Sequence, residues 1–260
     1  MLIVSVPSVD FTHFEKFKNN NVKIIRDEDY AKDYITDQEY WGLSSGYINQ
    51  EICKLAFHEF CEYENYLCID SDVRFIKDFR VSDFMYNSQY PYTVLVMDKD
   101  LYTKKFYSKY ASFRKELITR IFNYLDYDDK RYLTCHGMTV LNRRVLKDFK
   151  RRFMLKRRLK YIDLIAISPY EFTWYNVWLQ KNNYKYYAVE PFFKTFHSGI
   201  EYNMSRLSLV RLEDIRTHYI GIVMNSNWNK GNKILKYRDP GILCKLLYNF
   251  IRIFSESGRL

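Results

Sequence analysis

The run Tyr66-Leu67-Cys68-Ile69-Asp70-Ser71-Asp72-Val73-Arg74-Phe75 constrains this chain more than any other stretch. Four mostly apolar residues lead directly into two acids one residue apart, and Val73 and Phe75 continue the apolar pattern. A short apolar run bounded by polar residues reads as a buried strand. In open α/β sheets, ligands bind beyond the carboxyl ends of the strands, which is where these acids stand. Alternate residues of an extended chain point the same way, so Asp70 and Asp72 can share one divalent cation. Hard carboxylate oxygens suit Mg²⁺ or Mn²⁺.

A strand of this kind needs a sheet and a core around it. The 260 residues are enough for one large domain or two small ones. Hydrophobic residues make up 47%, and the scarcity of glycine (8) and proline (5) argues against low-complexity segments. The 25 tyrosines fit either a tyrosine-rich core or an aromatic sugar-binding cleft. A formal charge of +10 is compatible with nucleic acid, an anionic membrane surface or an anionic substrate, and decides between none of them. Cys53, Cys61, Cys68, Cys135 and Cys244 form no CxxC pair and read as reduced thiols of a cytoplasmic protein. Met1 to Pro7 lacks the basic region and long apolar stretch of a signal peptide. No stretch reaches the ~18 apolar residues of a membrane span.

Along the chain, Leu2–Val6 reads as a strand, Asp10–Asn20 as a helix with Phe11, Phe14 and Phe17 on one side, and Val22–Ile25 as a second strand. Strand, helix, strand opens a nucleotide-binding α/β half, although neither GxGxxG nor GxxxxGK[ST] is present. Ser44 or Ser45 caps a helix over Gly46–Cys61, whose buried stripe is Ile48, Ile52, Leu55, Ala56 and Phe60. Gln50 and Lys54 fall on the polar side of that stripe, and His58 has no visible partner. Tyr92–Met97 reads as a strand ending in a second acid pair, Asp98 and Asp100, ahead of a basic, tyrosine-rich segment. Phe113–Leu125 follows as a helix. Residues 142–161 carry ten Lys/Arg against one acid, Asp148, and read as a basic amphipathic helix for a membrane surface or nucleic acid. Further strands are expected at Ile162–Ile167, Tyr186–Val189 and Ile220–Met224, and a second amphipathic stretch at Ile242–Phe254.

The segment Trp41–Phe79, with Gly46-Tyr47-Ile48-Asn49-Gln50-Glu51-Ile52-Cys53-Lys54-Leu55-Ala56 ahead of the strand and Asp70-Ser71-Asp72 after it, resembles the donor-site region of DxD-containing glycosyltransferases of the GT-A fold, in their bacterial and viral nucleotide-sugar branch. The resemblance implies a single α/β domain of GT-A type over residues 1–235, a Rossmann-like mixed sheet flanked by helices, with an amphipathic helical tail at 236–260. It implies that Asp70 and Asp72 hold Mn²⁺ or Mg²⁺ on the diphosphate of a nucleotide sugar. Pro7 and Asp10 would lie near the base, and Gln50, Lys54 and Ser71 near the donor. In Leu133-Thr134-Cys135-His136-Gly137-Met138, His136 and Gly137 would face the sugar and acceptor. Ser168-Pro169-Tyr170-Glu171 is similar to a segment that precedes a helix near the acceptor, making Glu171 the candidate general base. His197 stands where such enzymes place a third metal ligand.

The implied reaction moves a sugar to a hydroxyl of a glycan or lipid-linked glycan, with inversion if Glu171 is the base. The implied setting is cytoplasmic, with peripheral contact to an anionic membrane through residues 142–161 and no nucleic acid. Two rival readings remain open. One is a metal-dependent nucleotidyl or phosphoryl transferase using the same aspartates. The other is a non-enzymatic nucleic-acid binder using the basic segment, whose affinity would fall steeply with salt.

Overall fold

The computed structural model describes residues 1–95, 108–128, 138–197, 201–202, 205 and 211–224. The chain is a mixed α/β protein built from short strands and longer helices. The pair Asp98/Asp100, the residues His136 and Gly137, and everything from Asn225 onward, including the expected tail, lie outside the described residues.

The amino-terminal unit forms largely as its pattern dictates. Strand β1 (Leu2–Val6) pairs in parallel with β2 (Val22–Arg26), Val4 opposite Ile24. Between them, α1 spans only Phe11–Glu15 and buries nothing. The expected helix over Asp10–Asn20 is therefore corrected to a shorter one, and Phe14 and Phe17 of its expected aromatic side are exposed. Helix α2 (Glu28–Ala31) follows β2 and leads to α3 (Ser45–Phe60).

Helix α3 is the organising element. The Ser44 hydroxyl accepts from the Tyr47 amide and caps its amino end. Ile48, Ile52, Leu55 and Ala56 are fully buried along one face, the 3–4 residue period of an amphipathic helix. They join one aromatic-rich core with α4 (Ser108–Tyr124), α5 (Arg143–Phe149), α6 (Tyr161–Ile167) and α7 (Glu171–Lys181).

After α3 the chain forms β3 (Asn65–Leu67), antiparallel to β6 (Val140–Asn142). The expected buried strand is shorter than its apolar run, and Tyr66 to Ile69 are half-buried. Asp70-Ser71-Asp72 forms the turn into β4 (Val73–Phe75), where the Val73 amide donates to the Asp70 carbonyl. Strand β5 (Tyr92–Val94) pairs in parallel with β7 (Tyr187–Val189). Strand β4 lies antiparallel to β9 (Gly221–Met224), which runs parallel to β8 (Phe193–Phe196); α8 (Leu212–His218) precedes β9. A Cβ on Gly221 would meet the Arg74 carbonyl oxygen at 2.7 Å and the Phe193 ring at 2.6 Å. Only glycine lets β9 sit this close between its two neighbours.

Two expectations about the second half are corrected. Residues Ile162–Ile167 lie in helix α6, not in a strand. A six-residue apolar run carries too little period to separate the two. Tyr161, Leu164 and Ile165 are buried, a helical spacing. The Asp163 carboxylate accepts from the Lys160 amide at 2.7 Å, closing the first turn. The basic segment is no continuous amphipathic helix either: α5 widens into a π-helical turn over Lys150–Met154, tightens to 3₁₀ over Leu155–Arg157, and stops at a left-handed Arg158. Its apolar side, Val145, Leu146, Phe149, Phe153 and Met154, is built into the core. No helix among the described residues is long and apolar enough to cross a membrane.

Candidate functional site

One turn of α3 carries Gln50, Glu51, Cys53 and Lys54, and each side chain meets a residue from another segment. Lys54 is the centre. Its Nζ lies 2.7 Å from Asp70 Oδ1, 2.7 Å from Glu171 Oε1 and 3.5 Å from Glu51 Oε1. The two short contacts bring the DSD turn and the first turn of α7 onto one ammonium. Gln50 Nε2 donates to the same Asp70 oxygen at 2.8 Å. Phe172 packs its ring 5.1 Å from the Lys54 ammonium.

The cluster is layered. The Asp70 side chain is 29% exposed, that of Lys54 9%, that of Glu171 7% and that of Glu51 3%. A ligand arriving from solvent meets Asp70 first, with Gln50 beside it and Ser71 on the exposed turn. Lys54 lies behind Asp70, and the two glutamates lie behind Lys54.

Three carboxylates share one cation here, and burial makes the excess costly. Burial pushes the Glu51 carboxyl well above the usual range, and the nearby Glu171 charge pushes the same way. For Lys54, burial alone would favour the neutral amine, but Glu171, Glu51 and Asp70 outweigh it and hold the ammonium well above its ordinary value. Burial and the neighbouring charges thus favour the neutral form of Glu51 and the charged form of Lys54.

The carboxyl ends of β1 and β2 connect to the same helix. The Cys53 thiol hydrogen-bonds Asp27, which also accepts from Ser5 Oγ at 2.5 Å. Burial pushes the Cys53 thiol up to about 12, and the neighbouring Asp27 adds to the shift. Pro7 and Asp10 sit on the exposed loop just past β1, where the Ser8 amide donates to both oxygens of Glu28 at 3.0 and 3.1 Å. One turn of α3 thus meets Asp27, just past β2, through Cys53 and the DSD turn through Gln50 and Lys54.

The residues named from sequence divide accordingly. Asp70, Gln50, Lys54 and Glu171 come together. The reading of Lys54 as an exposed lysine on a polar helix face is corrected. His58, one turn on, is a core histidine, with Nδ1 2.8 Å from the Leu55 carbonyl oxygen. His197 lies just past the end of β8, across β9 from Asp72. Phe196 pairs with Met224, whose amide donates to the Asp72 carbonyl, so β9 stands between His197 and Asp72. Strand spacing puts their backbones roughly 10 Å apart. Among the described residues, no three His, Cys, Asp or Glu are grouped to hold a metal.

A divalent cation of the Mg²⁺ type is usually bound by one or two carboxylates and completed by substrate phosphates, and Asp70 and Asp72 are two carboxylates of one turn. Their oxygens are hard ligands, and Asp70 is the solvent-facing member of the cluster. The residue that sequence reasoning passed over is Glu51. Its signal was present: it stands three residues after Ile48 and four before Leu55, inside the buried stripe.

No protein-family model matches the chain, and no curated protein matches it.

Proposed function

We propose that this protein is a metal-dependent glycosyltransferase of GT-A type that moves a sugar from a nucleotide-sugar donor to a hydroxyl acceptor. The observation that carries the reading is the layered cluster, in which a solvent-facing Asp70 is backed by a buried Lys54 and Glu171. Clusters of buried, mutually perturbed ionisable groups at an accessible turn concentrate at functional sites. The DSD turn follows a strand, Gln50 steadies Asp70, and Pro7 and Asp10 flank the neighbouring carboxyl end of β1. These features suit an elongated anionic donor lying across the amino half of α3.

In this reading, Asp70 and Asp72 hold Mn²⁺ or Mg²⁺, which neutralises the diphosphate leaving group as charge builds on it. Gln50 fixes the Asp70 carboxylate, and Lys54 adds a fixed positive charge behind it. Glu171 is the carboxylate that takes the acceptor proton, which favours an inverting outcome. In that role Glu171 keeps the Lys54 ammonium as its neighbour, 2.7 Å away.

The acceptor is a glycan or lipid-linked glycan, and the cationic ridge after α5 supports a peripheral site at an anionic membrane. Arg151, Arg152, Leu155, Lys156, Arg157, Arg158 and Lys160 are all exposed. With the apolar stripe already in the core, attraction to lipid headgroups is electrostatic rather than insertive. Flotation with anionic vesicles should weaken as salt rises, and neutral vesicles should not bind.

The test of the enzyme reading is thermal stability with UDP, GDP, CMP and their sugars, with and without Mn²⁺, on the wild type and on the Asp70→Ala/Asp72→Ala double variant. A ligand that binds only the folded state raises the melting temperature by mass action. A metal-dependent shift for one nucleotide, absent in the double variant, is the expected result. Silence with every nucleotide, together with steeply salt-dependent binding to DNA or RNA, would overturn it.

A further inference from the structure

We infer that Lys54 is a positioning residue that links the two sides of the site, so that a cation bound at Asp70 is felt at Glu171. The inference rests on the donor site proposed at Asp70 and concerns how that site is wired rather than what it binds. One ammonium lies 2.7 Å from an oxygen of each acid, so the two oxygens are at most twice that distance apart. An ammonium has three N–H donors and no acceptor. The Lys54 ammonium donates to Glu171 at 2.7 Å and to Glu51 at 3.5 Å, and pairs with the Asp70 charge at 2.7 Å.

The layering gives the link a direction. Asp70 is the more exposed member, at 29%, and Glu171 is buried, at 7%. A divalent cation on Asp70 competes with the ammonium for the same carboxylate, because the two positive charges repel at contact distance. Lys54 then shifts its hold toward Glu171 and Glu51. When the cation leaves, Lys54 returns to Asp70 and relaxes its grip on Glu171. The helix makes the exchange local: Gln50, Glu51 and Lys54 share one turn of α3, and Ile48, Ile52 and Leu55 lock that helix into the core. The ammonium moves between partners while the backbone stays fixed.

The experiment uses the full chain with ¹⁵N-labelled lysine and ¹³C-carboxyl-labelled glutamate, and Mg²⁺ alone as the probe. A buried, hydrogen-bonded ammonium gives a resolved, slowly exchanging signal, and ammoniums in solvent do not. That signal should shift in Asp70→Asn and in Glu171→Gln, each variant checked for its fold by circular dichroism. Added Mg²⁺ should move the Lys54 and Glu171 signals together with one midpoint, and should move neither in Asp70→Asn. A purely structural ion pair would respond to the substitutions but not to Mg²⁺.

A Lys54 signal that answers to only one of the two substitutions overturns the link. So does a Glu171 signal that stays still while Mg²⁺ binds, or an absence of Mg²⁺ binding altogether. Failure of the enzyme reading is separate: every nucleotide would be silent in the thermal assay while the Mg²⁺ response persisted. The reverse pattern, a nucleotide shift with an indifferent Glu171, would spare the enzyme reading and remove the link.

Discussion

Helix α3 carries two ionic clusters, one at each end, and they are built on opposite principles. At the carboxyl end, Glu59 meets Lys150, the Tyr161 hydroxyl at 2.6 Å and the Tyr34 hydroxyl at 3.3 Å. One acid faces one lysine, two phenols complete the hydrogen bonds, and both charged side chains are about a quarter exposed. Burial alone would raise Glu59, but the bonds from Lys150 and Tyr161 outweigh it and hold the carboxyl below its usual range. At the amino end, three carboxylates share Lys54, and two of them are almost wholly buried. The first cluster is satisfied and needs no further ligand. The second keeps an excess of acid that one lysine cannot balance, and one of its acids, Asp70, is partly exposed. A balanced pair of this kind is a fastening, whereas an unbalanced one supports a site that gains by accepting positive charge.

The sharpest way to break the contrast is to remove each lysine. Losing one partner of a buried ion pair typically costs about 3–5 kcal/mol, because the other charge is left unpaired. Lys54→Met should therefore cost about that much in urea unfolding at pH 7. Lys150→Met should cost about 1 kcal/mol or less, the range of solvent-screened pairs. Equal losses in the two variants would mean that the clusters do not differ in kind.

A second difference concerns acid. His58, beside the satisfied cluster, is buried, and burial lowers its pKa to about 4 from an ordinary 6.5. The unfolded chain then binds the extra proton first, so stability rises with pH through this window. The contribution is complete above pH 6.5 and is lost as pH falls toward 4, amounting to about 3 kcal/mol for a shift of this size. A stability–pH curve of the wild type should slope downward below pH 6.5, and that of His58→Gln should be flatter by about that amount. Parallel curves would show that His58 is not the acid-sensitive element of this end.

Much of the frame around these clusters can be read from residue order. The cap at Ser44, the stripe from Ile48 to Ala56 and the β1–β2 pair all follow from local pattern. What could not be read are the features set by distant segments. Lys54 and Glu171 are 117 positions apart, and nothing local says that they touch. Lys54 at a polar helix position reads as solvated until Asp70 and Glu171 close over it. Glu51 inside an apolar stripe reads as an interruption until its partners are known. The run Ile162–Ile167 reads as a strand because six apolar residues carry no decisive period; the informative residue is Asp163, which closes the helical turn onto Lys160. The basic segment misleads in the opposite way. Its amphipathic pattern is real, but the apolar side faces the protein's own core.

The effect expected at Glu51 is smaller than that at His58 and more diagnostic, because its sign is opposite. Glu51 has a raised pKa in the fold, driven by burial and then by Glu171. The folded state keeps the proton that the unfolded chain loses above its ordinary carboxylate pKa, so stability falls as pH rises from about 4.5 toward the raised value. Glutamine copies the protonated acid without carrying that linkage. Glu51→Gln should thus gain about 1–2 kcal/mol at pH 7, the scale of desolvating one poorly bonded polar group, and the gain should vanish near pH 4, where both chains are uncharged at this position. A gain that persists at pH 4 would reflect packing rather than charge. A loss at pH 7 would mean that Glu51 is ionised in the fold and balances Lys54, making the amino-terminal cluster as satisfied as the one around Glu59. Opposite pH slopes at the two ends of one helix are what an excess of buried acid at one end and a neutral buried histidine at the other require.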